Sequence, residues 1–317
     1  MELSTSDLMI VSGGDATYCP MIEELHQSII DANPNESVPF GVIDAGLTPD
    51  QAARLRKRGA VVAALPDDKA FPRDAMRRLP HAAVDLAKPW LDVIFPGFHT
   101  LVFLDADTWV QDFAAVRVLQ GAARNGALAI VPGGGRYWER QTEVRWLLGG
   151  IGGLCQVRSY FFKNGRHAGL PLKVLRDLGN RALLNAGVFA LRSDAQHWAC
   201  MRKWQAQILA NGAKPFTSDG IAMGLAIYVD HLPCELLPEG YNYIRPWRVD
   251  LSAGVLVEYY YPHPKVGIVH LAGQKRMRFD PAATTEVVDL DDRPHQLSLR
   301  YGMFQQTARA AADTQSK

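Results

Sequence analysis

Leu101-Val102-Phe103-Leu104-Asp105-Ala106-Asp107-Thr108-Trp109-Val110 carries four apolar residues straight into an Asp-Ala-Asp triplet. A short continuous apolar run reads as a strand buried on both faces. Residues i and i+2 of an extended chain point to the same side. Asp105 and Asp107 therefore present two carboxylates together at the carboxyl end of a central strand. Ligands of open α/β sheets bind just outside that end. Two adjacent carboxylates repel unless a cation or proton lies between them, and oxygen ligands suit Mg²⁺ or Mn²⁺. Alone, the triplet reads more readily as a turn that Asp107 caps, and the apolar run before it brings the two readings level.

A chain of 317 residues is within range for one elaborated α/β unit with a large core. A net charge of +1 shows no nucleic-acid or anionic-membrane footprint in the overall balance. Cys19, Cys155, Cys200 and Cys234 are widely spaced, with no metal-ligand or redox pattern, and read as reduced thiols. The first residues show no signal peptide, and no segment approaches the ~20 apolar residues of a membrane span. The expectation is a cytoplasmic protein.

Working outward, Leu8 to Val11 reads as a first strand, followed by a Ser12-Gly13-Gly14-Asp15 loop and a helix with Met21, Ile22, Leu25 and Ile29 on one face. That loop has neither Gly-x-Gly-x-x-Gly nor Gly-Lys-Ser/Thr, which argues against ordinary dinucleotide and P-loop sites. Phe40 to Asp44 is a second strand. Thr48-Pro49-Asp50-Gln51 opens a helix as a capping box, and Ala60 to Leu65 is a third strand. This βαβαβ start predicts parallel pairing. A helix over His81 to Phe95 must distort at Pro89, and Lys88 before it reads as solvated. A helix over Phe113 to Arg124 and a strand over Ala127 to Val131 follow.

From Gly133 to Gly179 the periodicity dissolves into glycines, aromatics and basic residues, the composition of a lid or binding loop. Trp146-Leu147-Leu148 equally fits a buried helix turn. Leu183 to Leu191 is a strand with Asn185 and Gly187 early in it, and glycine there marks a close approach. Ser193-Asp194-Ala195-Gln196 reads as another capping box, opening a helix whose Trp198, Met201, Trp204 and Ile208 face the core. Thr217-Ser218-Asp219 opens a further helix. Val266 to His270 is an apolar run ending in a histidine. Gly273, Lys275 and Arg276 after it suit phosphate. From about Pro294 an amphipathic helix and a polar tail are expected.

Four of these stretches, taken in order, resemble the family 8 glycosyltransferases, the group containing glycogenin and the bacterial lipooligosaccharide galactosyltransferases. They are Val11 to Tyr18, Asp105-Ala106-Asp107 with its strand, Asn185-Ala186-Gly187-Val188-Phe189, and His270-x-x-Gly273, with Asp219 fitting a fifth position. The resemblance implies a GT-A fold, a Rossmann-like mixed sheet flanked by helices. It also implies a UDP-hexose donor (UDP-glucose or UDP-galactose), Mn²⁺ or Mg²⁺, and retention at the anomeric carbon. It places Asp105, Asp107 and His270 on the metal, and Asp15, Thr17 and Tyr18 around the uracil, in a loop that includes Ser12 and Gly13. Ala106, Ala186, Gly187, Gly273, Lys275 and Arg276 fall on the donor side. Lys88 takes the place of a basic residue facing the donor, and Asn185 and Asp219 line the transferred sugar.

Two departures stand out. Gly220 replaces the glutamine the family places beneath the reacting carbon, and Arg276-Met277-Arg278 replaces a Lys-Pro-Trp. By this reading residues 1–280 form one glycosyltransferase domain, with 133–180 as an acceptor-site or lid insertion and 281–317 as a helical extension and tail. The partners expected are a nucleotide sugar and a glycan, protein or small-molecule acceptor, with no nucleic acid and no transmembrane segment. A sugar-phosphate nucleotidyltransferase would need a Gly-rich first loop with an arginine, which Ser12-Gly13-Gly14-Asp15 lacks. A non-catalytic nucleotide-sugar or glycan-binding protein of the same fold is the other reading, suggested by Gly220.

Overall fold

The computed structural model describes residues 7–133, 142–153 and 155–307. Its strands are β1 (Leu8–Gly14), β2 (Phe40–Asp44), β3 (Val61–Ala64), β4 (Thr100–Leu104), β5 (Thr108–Val110), β6 (Leu128–Pro132), β7 (Thr142–Trp146), β8 (Cys155–Ser159), β9 (Leu184–Arg192), β10 (Cys234–Leu236), β11 (Trp247–Asp250), β12 (Val255–Glu258), β13 (Ile268–His270), β14 (Thr285–Asp289) and β15 (Pro294–Leu297). Its α-helices are α1 (Cys19–Ala32), α2 (Pro49–Lys57), α3 (Arg73–Arg78), α4 (Ala83–Ala87), α5 (Leu91–Ile94), α6 (Ala114–Ala123), α7 (Tyr160–His167), α8 (Leu172–Gly179), α9 (His197–Ala210), α10 (Ser218–Tyr228) and α11 (Lys275–Phe279).

Seven strands form a mixed sheet in the order β10-β6-β9-β4-β1-β2-β3. β1 pairs in parallel with both β2 and β4, so the chain leaves β1 on one side and returns on the other. The ends of β1 and β4 thus open a crevice at a topological switch point. β9 runs antiparallel between β4 and β6, which makes the sheet mixed. Side chains alternate across it. Met9, Val11, Leu101 and Phe103 share one core with Trp198 and Met201 of α9 and Ile221 and Leu225 of α10. Leu8, Ile10, Val102 and Leu104 share the other with Ile22 and Leu25 of α1 and Val116 and Leu119 of α6.

The capping box forms at Thr48, whose hydroxyl accepts from the Gln51 backbone N–H at 3.2 Å. The one expected at Ser193 does not. Arg192 captures Asp194 instead (Nε to Oδ1, 2.8 Å), and α9 starts at His197 without a side-chain cap. The helix expected over His81 to Phe95 is broken into α4, a 3₁₀ turn over Lys88–Trp90 and α5, as Pro89 requires.

Between Gly133 and Gly179 the described residues form the β7–β8 hairpin, α7 and α8. Gly134, Gly135 and Trp138 lie outside the described residues. Trp146, Leu147 and Leu148 are exposed rather than a buried helix turn.

The C-terminal part also differs from expectation. Residues 285–297 form the β14–β15 hairpin, which joins β11 and β12 in a second, four-stranded sheet. Helix begins only at 301. Leu297 and Leu299 are buried at a spacing of two, a strand's period, before Tyr301 and Phe304 pack on Trp109. The tail from 308 lies outside the described residues.

Candidate functional site

Asp105 and Asp107 follow β4 at the crevice. His270 reaches them because β13 pairs antiparallel with β5, setting His270 opposite Thr108. The backbone N–H of Leu271 donates to Asp107 O at 2.8 Å and locks that register. His270 Nε2 then lies 3.3 Å from Asp107 Oδ1 and 3.9 Å from Asp105 Oδ2. Its Nδ1 donates to Asn242 Oδ1 at 2.8 Å, so Nε2 is the nitrogen turned toward the two carboxylates and available to a ligand.

Gly187 of β9 makes the close approach possible. A Cβ there would stand 2.5 Å from His270 Cε1 and 2.6 Å from Asp105 Oδ2. The Gly187 carbonyl accepts from the Asp105 backbone N–H at 2.7 Å. Two carboxylates and one imidazole, with ligand atoms all within 4.8 Å of one another, form a group able to hold a divalent cation.

Lys88 is not solvated. Its side chain is 2% exposed, and Nζ lies 3.1 Å from Asp85 Oδ1, 3.1 Å from Asp105 Oδ1 and 3.0 Å from Asp219 Oδ2. Three carboxylates thus crowd around one ammonium, and Asp107 lies beside them against His270. Burial pushes Asp85 and Asp105 above the ordinary carboxylate range, and the Lys88 charge only partly offsets it. Burial also opposes the charge on Lys88, but Asp105, Asp219 and Asp85 outweigh it and hold the ammonium protonated. Asp107 moves the other way. Its burial is overcome by His270 and Arg278, which hold it below the usual range. Burial opposes a charge on His270, and Asp107 and Asp105 raise it all the same. The excess negative charge is what a divalent cation would relieve.

Two cavities meet here. One, of about 390 Å³, is lined by Gly13, Asp15, Tyr18, Ala106, Asp107, Gly273, Lys275 and Arg278 among others. The second, of about 500 Å³, is lined by Lys88, Tyr160, Asn185, Ala186, Gly187, Asp219 and Gly220 among others. Asp85, Asp105 and Phe216 line both. His270 lines the first. Ser12, Thr17 and Arg276 line neither. Ser12 is buried within β1, while Thr17 and Arg276 are exposed. Asp15 also shapes its loop, since Oδ1 accepts from the backbone N–H groups of Thr17 (2.9 Å) and Tyr18 (3.3 Å).

Asp219 sits in the first turn of α10. Oδ1 accepts from the Gly220 N–H at 2.7 Å while Oδ2 faces Lys88, so both oxygens are oriented. A Cβ on Gly220 would meet only the Leu184 carbonyl, at 3.8 Å, so this position opens into the second cavity.

Sequence reasoning missed Asp85 and Asn242, and named Arg278 only as part of the Arg276-Met277-Arg278 replacement. Asp85 precedes Lys88 by one helical turn, a pairing that spacing could have suggested. Arg278 stacks its guanidinium 4.5 Å from the Tyr18 ring centre. Asn242 lies in a loop with no periodic signal.

No family model matches this sequence, and no curated protein matches it. Solved structures do. A galactosyltransferase, LgtC, in complex with donor and acceptor sugar analogs, aligns at a TM-score of 0.52 and 15% identity over 95% of each chain. Mouse xyloside xylosyltransferase 1 aligns at 0.51 and 10% identity, over 84% of this chain and 98% of that one. The bifunctional glycosyltransferase WbbM aligns at 0.50 and 16% identity, over 86% of this chain and 47% of that one. The fold is GT-A. At these identities the likeness establishes the fold, and the chemistry has to be argued from the residues.

Proposed function

We propose that this protein is a metal-dependent, retaining glycosyltransferase that moves a hexose from UDP-glucose or UDP-galactose to a glycan, protein or small-molecule acceptor. The observation that carries the reading is the position of Asp105, which lines both cavities and belongs to the Asp105–Asp107–His270 group. A nucleotide diphosphate fits the first cavity and a sugar the second, with the bond to be broken between them.

In this reading Asp15 and Tyr18 hold the nucleoside, and Tyr18 offers a ring face that Arg278 already supports. Lys275 and Arg278 bind the diphosphate. Asp105, Asp107 and His270 would hold Mn²⁺ or Mg²⁺. When bound, the ion supplies positive charge that stabilises the diphosphate as it leaves. Asp219 and Asn185 face the transferred sugar. The Asp219 carboxylate, fixed by Lys88 and the Gly220 N–H, is placed to favour a cation-like sugar. Lys88 keeps Asp85, Asp105 and Asp219 from repelling one another apart. Residues 1–280 carry this chemistry as one domain, and the insertion over 133–180 lies on the acceptor side.

Gly220 favours one second reading, a binding protein of the same fold that does not turn its donor over. Release of UDP from each UDP-hexose, followed with and without Mn²⁺, separates the two. The enzyme releases UDP slowly to water and only with the metal. Tight metal-dependent binding with no UDP released over hours identifies the binding protein.

A further inference from the structure

We propose that the tip of the β7–β8 hairpin docks the protein on an anionic lipid bilayer. From Trp146 through Leu154 the sequence is Trp-Leu-Leu-Gly-Gly-Ile-Gly-Gly-Leu, with no charged residue and the Trp146 indole N–H as its one hydrogen-bonding side-chain group. Trp146 is 62% exposed, Leu148 75% and Ile151 75%. Nothing among the described residues stands within 4 Å of where a Cβ would sit on Gly149, Gly152 or Gly153. Leu148 holds a φ of 49°, a left-handed conformation that disfavours a leucine. An apolar side chain kept exposed at a strained turn is a poor solution for a loop facing only water.

Charge selects the occupant. Between residues 133 and 167 the sequence carries six Lys or Arg against two Glu and no Asp, in a chain whose overall charge is +1. The remainder is therefore net negative, and in the sequence the basic residues flank the apolar stretch on both sides, with Arg145 immediately before it and Arg158 four residues after it. Arg145 is exposed in β7, next to Trp146. A shallow apolar anchor with tryptophan at its edge and basic residues behind it matches the headgroup boundary of an anionic bilayer. A protein partner would be recognised through polar groups at the rim of the contact. The stretch from Trp146 to Leu154 offers only the Trp146 indole N–H, and a lipid surface demands no more.

Tyr160, which lines the second cavity, directly follows β8. Five extended residues span about 17 Å, so docking holds that cavity within about 17 Å of the bilayer. The docking does not depend on the catalytic reading, and its test needs no turnover.

The test is flotation of the full chain with vesicles of phosphatidylcholine alone and of phosphatidylcholine mixed with phosphatidylglycerol. The wild type is expected to float with the mixed vesicles and at least ~10-fold less with phosphatidylcholine alone. The triple variant Trp146→Ser, Leu148→Ser, Ile151→Ser should lose at least ~10-fold of that binding while its melting temperature stays at the wild-type value, because all three side chains are exposed. Arg145→Glu should weaken binding to the mixed vesicles only. The proposal is overturned if the wild type floats with neither vesicle or the triple variant floats as well as the wild type. It is equally overturned if the tip mediates self-association that the triple variant abolishes while vesicles are not bound.

Discussion

His270 Nδ1 donates to Asn242 Oδ1 at 2.8 Å, and this one hydrogen bond turns Nε2 toward Asp107. An amide oxygen only accepts, so Nδ1 carries a proton and Nε2 is the nitrogen whose lone pair a cation would take up. Asn242→Ala is expected to weaken Mn²⁺ by about 10- to 100-fold, the usual loss when a ligand's outer partner is removed. Asn242→Asp, which still accepts, should retain most of the affinity. Calorimetric titration of Mn²⁺ in the presence of UDP reads both. Unchanged affinity in the alanine variant would show that Asn242 does not set the tautomer.

Gly187 tests the same group from the opposite side. A methyl placed 2.5 Å from His270 and 2.6 Å from Asp105 has to displace one of them. Gly187→Ala should cost on the order of 1–3 kcal/mol of stability as an overpacked core position. It should also abolish Mn²⁺-dependent retention of UDP. A variant that folds and binds Mn²⁺ as the wild type does would mean that the imidazole and carboxylate need not come this close.

The two arginines of α11 are predicted to differ. Arg278 lines the first cavity against Tyr18, whereas Arg276 lines neither cavity. Arg278→Ala should weaken UDP by at least ~1.5 kcal/mol, the low end for a charge-assisted contact. Arg276→Ala should leave UDP within a few-fold of wild type. The reverse ranking would move the diphosphate away from Arg278.

These side chains show where sequence reading reaches and where it stops. Asp105, Asp107, His270 and Gly187 were legible because each ends or interrupts an apolar run, where the change of chemistry is abrupt. Arg276 and Arg278 look alike in composition, and only helical phase within α11 separates them. Lys275 and Arg278 are three residues apart and share a face, while Arg276 points about 100° away from Lys275. Lys88 read as solvated because nothing local announces Asp105 and Asp219, which come from elements distant in sequence. The β14–β15 hairpin was read as helix because Leu297, Leu299, Tyr301 and Phe304 mix the two periods across a boundary at 300.

Acid stability gives a test of the core behind the site. His26 stacks on Phe40 with ring centres 4.5 Å apart, and its Nδ1 has no hydrogen-bond partner among the described residues. Burial, helped by the charge of Arg58, lowers its pKa from 6.5 to about 4. The unfolded chain therefore binds the proton first. Stability is full above pH 6.5 and falls as pH drops from there toward 4. Between pH 7 and 5 the loss from this group is about 2 kcal/mol. His26→Phe keeps a stacked ring and removes the titration, so urea melts of the variant should lose correspondingly less over that interval. Identical losses in the two proteins would show that His26 is not buried neutral.

The claim that matters most is that Asp105, Asp107 and His270 make donor binding depend on a divalent ion. Calorimetric titration of UDP-glucose and UDP-galactose into wild type and Asp107→Asn, each with and without Mn²⁺, tests it directly. The wild type is expected to bind at least one donor at least ~10-fold more tightly with Mn²⁺, about 1.4 kcal/mol. The folded Asp107→Asn variant should show no such gain. Equal Mn²⁺-dependent gains in the two proteins, or donor binding by the wild type that ignores the metal, would contradict it.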